Sequence, residues 1–167
     1  YKFYDMMEPE INYEVKCETK VNRKEFDMSP TFSDKKGLKI YFSSSREESY
    51  GSGRDPITGE KYMDIYVAEF DKNGDPTNVK SIDEDGIVNT SESEGTLCFD
   101  KKFKKMYFTR CPNKEKMMLG CDIWTVDLVD GTFANPVKLK LKSDPMISVG
   151  HPCLTTDGTM LIFASDI

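Results

Sequence analysis

Three aligned hairpins, a recurring Asp-Ile-aromatic strand and the near absence of helical periodicity predict an all-β fold. That fold is a β-propeller of four-stranded antiparallel blades, present as a partial ring. The hairpins align as Ser29-Pro30-Thr31-Phe32-Ser33-Asp34 leading into Lys39 to Ser44, Glu94 to Asp100 leading into Lys105 to Arg110, and His151 to Gly158 leading into Met160 to Ser165. Each is a short strand, a polar turn carrying Asp, then a second strand rich in aromatic and branched residues, the ordinary signature of a β-hairpin. No segment sustains apolar residues at i, i+3, i+4 and i+7 over three turns, so helix is not expected.

The third strand of each unit is also shared. Asp64-Ile65-Tyr66 lies within Met63 to Phe70 and Asp122-Ile123-Trp124 within Cys121 to Leu128. Each strand meets a turn, Asp71-Lys72-Asn73-Gly74-Asp75 or Val129-Asp130-Gly131-Thr132, and then a fourth extended stretch near Val79 to Ile82 or Val137 to Leu141. A repeating four-strand unit is a propeller blade. Blades stack face to face, which covers both faces of their inner strands and explains unalternating runs such as Ile40-Tyr41-Phe42 and Leu161-Ile162-Phe163. A two-layer sandwich holds the same strands but does not require the motif to recur in register. The expected organisation is a lead-in with an outer strand of a neighbouring blade over 1–26, a first blade over 27–90, a second over 91–148, and the first hairpin of a third over 149–167. Within the lead-in, Tyr13 to Glu18 reads as the outer strand. Rings close with about four to eight blades, so the remaining blades are expected on another chain or fragment.

Composition excludes several functions. The 167 residues carry a net charge of −6, which argues against nucleic acid, whose binding depends on clustered Lys and Arg. No apolar run approaches the ~20 residues of a spanning helix. Residues 1–7 lack a signal-peptide pattern, which places any export signal outside this piece. The five cysteines show no C-x-x-C spacing, so a zinc site is not expected. Cys98 and Cys153 fall in apolar stretches as small hydrophobes. Cys111 and Cys121 flank the loop from Pro112 to Gly120; free thiols are the expectation there and a disulfide the alternative.

Candidate chemistry is sparse. The single histidine, His151, precedes Pro152 at the entry to an inner strand, and without a Gly-x-Ser-x-Gly elbow it reads as structural. Asp71 to Asp75 begins like a calcium loop but lacks the spaced ligands and the closing Glu, so it reads as a hairpin turn. No catalytic residue, metal or cofactor is expected. The long loop from Ser43 to Tyr62 exceeds a hairpin connection. Its Arg46, Tyr50, Arg54 and Tyr62 are candidate binding residues on the loop rim, since Tyr and Arg anchor many interfaces; a solvated insertion explains the composition equally well. Lys114 and Lys116, beside Met117 and Met118, are the corresponding candidates in the next blade and are expected on the same rim.

These motifs resemble the WD-like repeats of TolB-type propellers, which carry a Ser-Pro-x-Phe-Ser-x-Asp-Gly hairpin, an Ile-Tyr-Phe-x-Ser strand and an Asp-Ile-Tyr/Trp strand. The match spans most of residues 22–167 and departs at Glu94 to Asp100, where the Pro and the turn Gly are missing. More narrowly, the pattern is similar to propellers of OmpA-family envelope proteins of Bacteroidetes, such as the PorE-like component of the type IX secretion system. The resemblance implies a periplasmic, outer-membrane-associated, non-catalytic scaffold that binds protein partners, with peptidoglycan engaged only through a domain not present here. The alternative is the propeller that gates a prolyl-oligopeptidase-like serine hydrolase.

Overall fold

The computed structural model describes residues 14–112 and 119–167. Ten strands follow in order: β1 (Asp27–Phe32), β2 (Lys39–Ser44), β3 (Asp64–Phe70), β4 (Pro76–Ser81), β5 (Ser93–Phe99), β6 (Lys105–Cys111), β7 (Asp122–Val129), β8 (Thr132–Lys138), β9 (Val149–Leu154) and β10 (Leu161–Ser165). They form three antiparallel sheets: β1-β2-β3-β4, β5-β6-β7-β8, and the pair β9-β10. The described residues contain no helix. Within each sheet the order is that of consecutive antiparallel strands, joined by short turns except for the long loop between β2 and β3 and the disulfide-closed loop between β6 and β7.

Turn chemistry fixes the registers. Asp130 and Gly131, at φ 50° and 83°, form a two-residue turn between the paired Val129 and Thr132. Positive φ at both positions is the geometry that suits the twist of a hairpin. The turn starts β8 at Thr132, earlier than the expected Val137 to Leu141, and β4 likewise starts at Pro76 rather than Val79. These outer strands face solvent on most of their length and therefore carry little of the apolar pattern that would mark them. In the β3–β4 turn the Asp71 carboxylate accepts hydrogen bonds from the amides of Asn73 and Asp75, at 2.8 and 3.0 Å.

The expected outer strand from Tyr13 to Glu18 does not form. Tyr13 lies outside the described residues, and residues 14–18 carry no strand. The first sheet already holds four strands, and no neighbouring ladder pairs with residues 14–18 to satisfy their amides. The chain instead makes a turn, with the amides of Val21 and Asn22 bonded to the Glu18 carbonyl, and Val21 packs on the buried Phe42, Tyr66 and Ala68.

The main core lies between the first two sheets. Tyr41, Ile65 and Val67 of the first meet Leu97, Phe99, Met106, Phe108, Val126 and Phe133 of the second, with Val88 of the intervening connector between them. Tyr41 meets Phe99 and Phe133 edge to face, at 5.0 and 6.3 Å between ring centroids. Cys111 and Cys121 form a disulfide that joins the end of β6 to the start of β7. The expected free thiols are thus corrected, because pairing of β6 with β7 brings the two chain ends of the loop side by side. Cys17, Cys98 and Cys153 are free, and burial pushes the Cys98 thiol up to about 11.

Candidate functional site

The first strand of each sheet contains the same irregularity. Ser29 in β1, Thr96 in β5 and His151 in β9 adopt φ values of 55°, 39° and 55°, each within a break in register against the adjoining strand. These are β-bulges, which turn the bulged amide away from its own ladder. In the second and third sheets that amide crosses to the preceding sheet. Thr96 N–H donates to Ser43 Oγ at 3.1 Å, and His151 N–H donates to Thr109 Oγ1 at 2.9 Å. Ser43 and Thr109 occupy the same place in β2 and β6, directly after Tyr41-Phe42 and Tyr107-Phe108.

Two more bonds repeat beside it. Glu94 N–H donates to the Met63 carbonyl at 2.7 Å, and Val149 N–H to the Cys121 carbonyl at 3.0 Å. Met63 N–H donates to Ser93 Oγ and Cys121 N–H to Ser148 Oγ, both at 3.3 Å. The sheets are therefore joined by two seams that share three hydrogen bonds, and the first adds a bond from the Thr31 hydroxyl to the Leu97 carbonyl at 3.0 Å. Small residues make the approach possible: a Cβ on Gly150 would stand 3.0 Å from the Thr109 methyl carbon, and one on Gly120 only 2.0 Å from the Ile147 carbonyl oxygen. The seams border a cleft of about 420 Å³ that includes Met63, Thr109, the Cys111–Cys121 disulfide and His151. His151 reaches this cleft as an exposed side chain, while its backbone amide serves the second seam.

A second repeated device is a buried arginine. Arg110 lies over the rings of Phe108 and Trp124 at 5.4 and 4.5 Å, pairs with Glu94 at 2.8 Å, and donates to the Val88 carbonyl at 2.6 Å. Arg46 does the same one sheet earlier: it lies 5.0 Å over both Phe42 and Tyr66, pairs with Asp27 at 3.1 Å, and donates to the Val21 carbonyl. Arg46 is only 3% exposed. It is a core clamp, and its expected place among the rim-binding residues is corrected. Its partners lie nineteen and twenty-five residues away in sequence, beyond any local signal.

Acids gather behind the first seam. Glu94 is fully buried; burial raises its carboxyl, against the opposing pull of Thr90 and Arg110. Asp64, 1% exposed, is held at about 7 mainly by burial, with Glu94 and Asp83 adding repulsion and the Tyr50 amide opposing. One oxygen of Asp64 accepts the Tyr50 N–H, whereas the other is buried without a partner among the described residues. Asp122 holds the same repeat position in β7 but pairs with Lys138 at 3.3 Å and Lys142 at 3.2 Å.

The long loop before β3 is ordered by its own contacts. Arg54 pairs with Glu47 at 2.6 Å and donates to the Gly59 carbonyl at 3.0 Å, while Asp55 accepts the amides of Ile57 and Thr58. Tyr50 is 45% exposed and its hydroxyl stands beside Gly86. Tyr62 is half-buried and borders a cleft of about 310 Å³ with Phe26, Met28 and Met63. Tyr50, Arg54 and Tyr62 thus share one loop. Lys114 and Lys116 lie outside the described residues. Sequence reasoning missed the seam residues Ser43, Thr109, Glu94 and Asp64; the signal was present as a hydroxyl at one position of both second strands. No protein-family model, curated protein or solved structure matches the chain.

Proposed function

We propose that the chain is part of a β-propeller that acts as a non-catalytic protein-interaction scaffold in the bacterial cell envelope. The reading takes the three sheets as consecutive blades, the third represented by its first hairpin. The observation that carries it is the seam: the same bulge, the same cross-sheet hydroxyl and the same carbonyl recur between the first and second sheets and between the second and third. A sandwich has one inter-sheet interface and no reason to repeat it, whereas a stack of blades repeats it at every step. The OmpA-family, periplasmic and outer-membrane association follows from the motif resemblance. The Cys111–Cys121 disulfide supports an oxidising compartment.

On this reading the partner-binding surface is the loop rim, with Tyr50, Arg54 and Tyr62 as its anchors and Arg46 serving beneath them as a clamp. The test is cross-linking of the chain to periplasmic and outer-membrane proteins of its source cell, compared with a Tyr50→Ala, Arg54→Ala double variant. A defined envelope protein captured by the native chain and lost from the folded variant is the expected result. Equal capture by both removes the rim from the proposal, and hydrolysis of peptide substrates by the purified chain removes the scaffold reading.

A further inference from the structure

The outward face of the first sheet repeats, residue for residue, the face that the second sheet buries. Leu97, Phe99, Met106 and Phe108 point from the second sheet into the main core and are 5%, 9%, 0% and 0% exposed. The corresponding positions on the first sheet are Pro30, Phe32, Ile40 and Phe42. Phe42 is buried beneath Arg46 and Val21, as Phe108 is beneath Arg110, but Phe32 is 56% exposed, Met28 is 43% exposed, and Ile40 is half-buried. A cleft of about 360 Å³ lies there, bordered by Val21, Met28, Pro30, Ile40, Phe42 and Phe70.

The lead-in completes the correspondence. Val21 precedes Asp27 by six residues, as Val88 precedes Glu94, and each gives its carbonyl to the arginine clamp. The chain before β1 is therefore built like the connector that enters the second sheet from the first. Two donors are also in place: the amides of Asp27 and Ser29 stand where Glu94 and Thr96 donate across a seam, and among the described residues they donate to no other sheet.

We infer that this face is the seat of a further antiparallel sheet of the same repeat, one whose second strand presents a Ser or Thr hydroxyl to the Ser29 amide and an aromatic ring to Phe32. The inference rests on the propeller reading and specifies its upstream neighbour. The ring is expected because Tyr41 fills that role against Phe99 in the first seam. A second copy of this chain does not fit. Its open face is that of β9–β10, where Ala164 stands at the place of Ser43 and Thr109 and offers no hydroxyl.

The test replaces residues 1–25 with a second copy of residues 27–92, so that the added copy's Ser43 faces the original Ser29, and follows amide hydrogen exchange. In the native chain Thr96 and His151 are expected to exchange slowly and Asp27 and Ser29 rapidly. In the extended chain Asp27 and Ser29 should slow at least a hundredfold, and Ser43→Ala in the added copy should release Ser29 while leaving Asp27 slow. An extended chain in which both amides stay fast, or which fails to fold, overturns the docking proposal. Fast exchange at Thr96 and His151 in the native chain overturns the propeller reading instead. Independently of the extended chain, the native protein should bind the dye ANS and lose it in Phe32→Asp; absence of binding counts against the open face. A concentration-dependent dimer with a protected Ser29 amide reassigns the seat to a second copy.

Discussion

Replacing Asp64 with Asn should stabilise this protein at alkaline pH and leave it little changed in acid. The folded chain holds the Asp64 carboxyl at about 7 against an ordinary 3.8, so across roughly three pH units the folded state binds a proton that the unfolded state does not. At about 1.4 kcal/mol per pH unit, native stability falls by up to about 4 kcal/mol as pH rises from 4 to 7, then levels off. The sign follows from the direction of the shift: an acid raised by folding contributes fully below its unfolded value and loses that contribution as pH passes its folded value. Burial raises Asp83 and Glu94 as well, so both steepen the same trend. Asn is neutral throughout, keeps an oxygen for the Tyr50 amide, and places an NH2 where the native oxygen has no partner. At pH 8 the variant should therefore melt higher than the native protein, by roughly 2–4 °C for each kcal/mol recovered; near pH 4.5, where about 1 kcal/mol separates them, the gap should narrow to roughly 2–4 °C. Thermal unfolding by circular dichroism from pH 4.5 to 8.5 measures both. Parallel curves for the two proteins would refute the assignment of the slope to Asp64.

Arg110→Met should cost about 3–5 kcal/mol at pH 8, because it strands the fully buried Glu94, and the loss should shrink as pH falls and Glu94, already raised by burial, takes up a proton; urea unfolding across that range measures it. Arg54→Ala breaks an ion pair whose side chains are about half exposed and should leave the urea midpoint unchanged in the same assay. Reduction of the Cys111–Cys121 bond, which spans 10 residues, should lower stability by about 2–3 kcal/mol on the loop-entropy estimate, measured by melting with and without reductant. Gly120→Ala should destabilise far more than Ala at Gly59, since the new Cβ would meet the Ile147 carbonyl at 2.0 Å while nothing lies within 4 Å of that on Gly59; comparative melts decide it.

The second and third strands of the four-stranded sheets were legible in the sequence because their burial demands apolar residues there: Ile40-Tyr41-Phe42 and Asp122-Ile123-Trp124 stand where the hairpin pattern puts them. The outer strands were displaced because β8, from Thr132 to Lys138, faces solvent and begins at a turn rather than at an apolar residue. Arg46 misled for a different reason. A polar loop follows it, and nothing nearby in sequence shows that Asp27 and the Val21 carbonyl will close over it. The bulges were hidden too: Ser29 and His151 precede proline, yet Thr96 makes the same turn without one, so local sequence does not mark the feature.

Backbone groups carry most of each seam, and this explains how the sheets keep one geometry while their sequences drift. An amide and a carbonyl serve whatever the residue; side-chain identity is constrained at the hydroxyls of Ser43 or Thr109 and of Ser93 or Ser148, and at the small residues that permit the approach. The freedom left over is spent in the connectors. The connector behind the first seam contains Asp83, Glu84 and Asp85, and that behind the second contains Lys140 and Lys142. Asp122 consequently meets the buried Lys142 ammonium, which also donates to the carbonyls of Gly120 and Cys121 at 3.0 and 2.8 Å. Asp64, at the matching position, is driven toward its neutral form first by burial and then by Glu94 and Asp83. One repeat position thus has opposite electrostatic surroundings in adjacent sheets, and the pH dependence of the described structure concentrates at the first seam, where the long loop is tied to β3 through the Tyr50 amide.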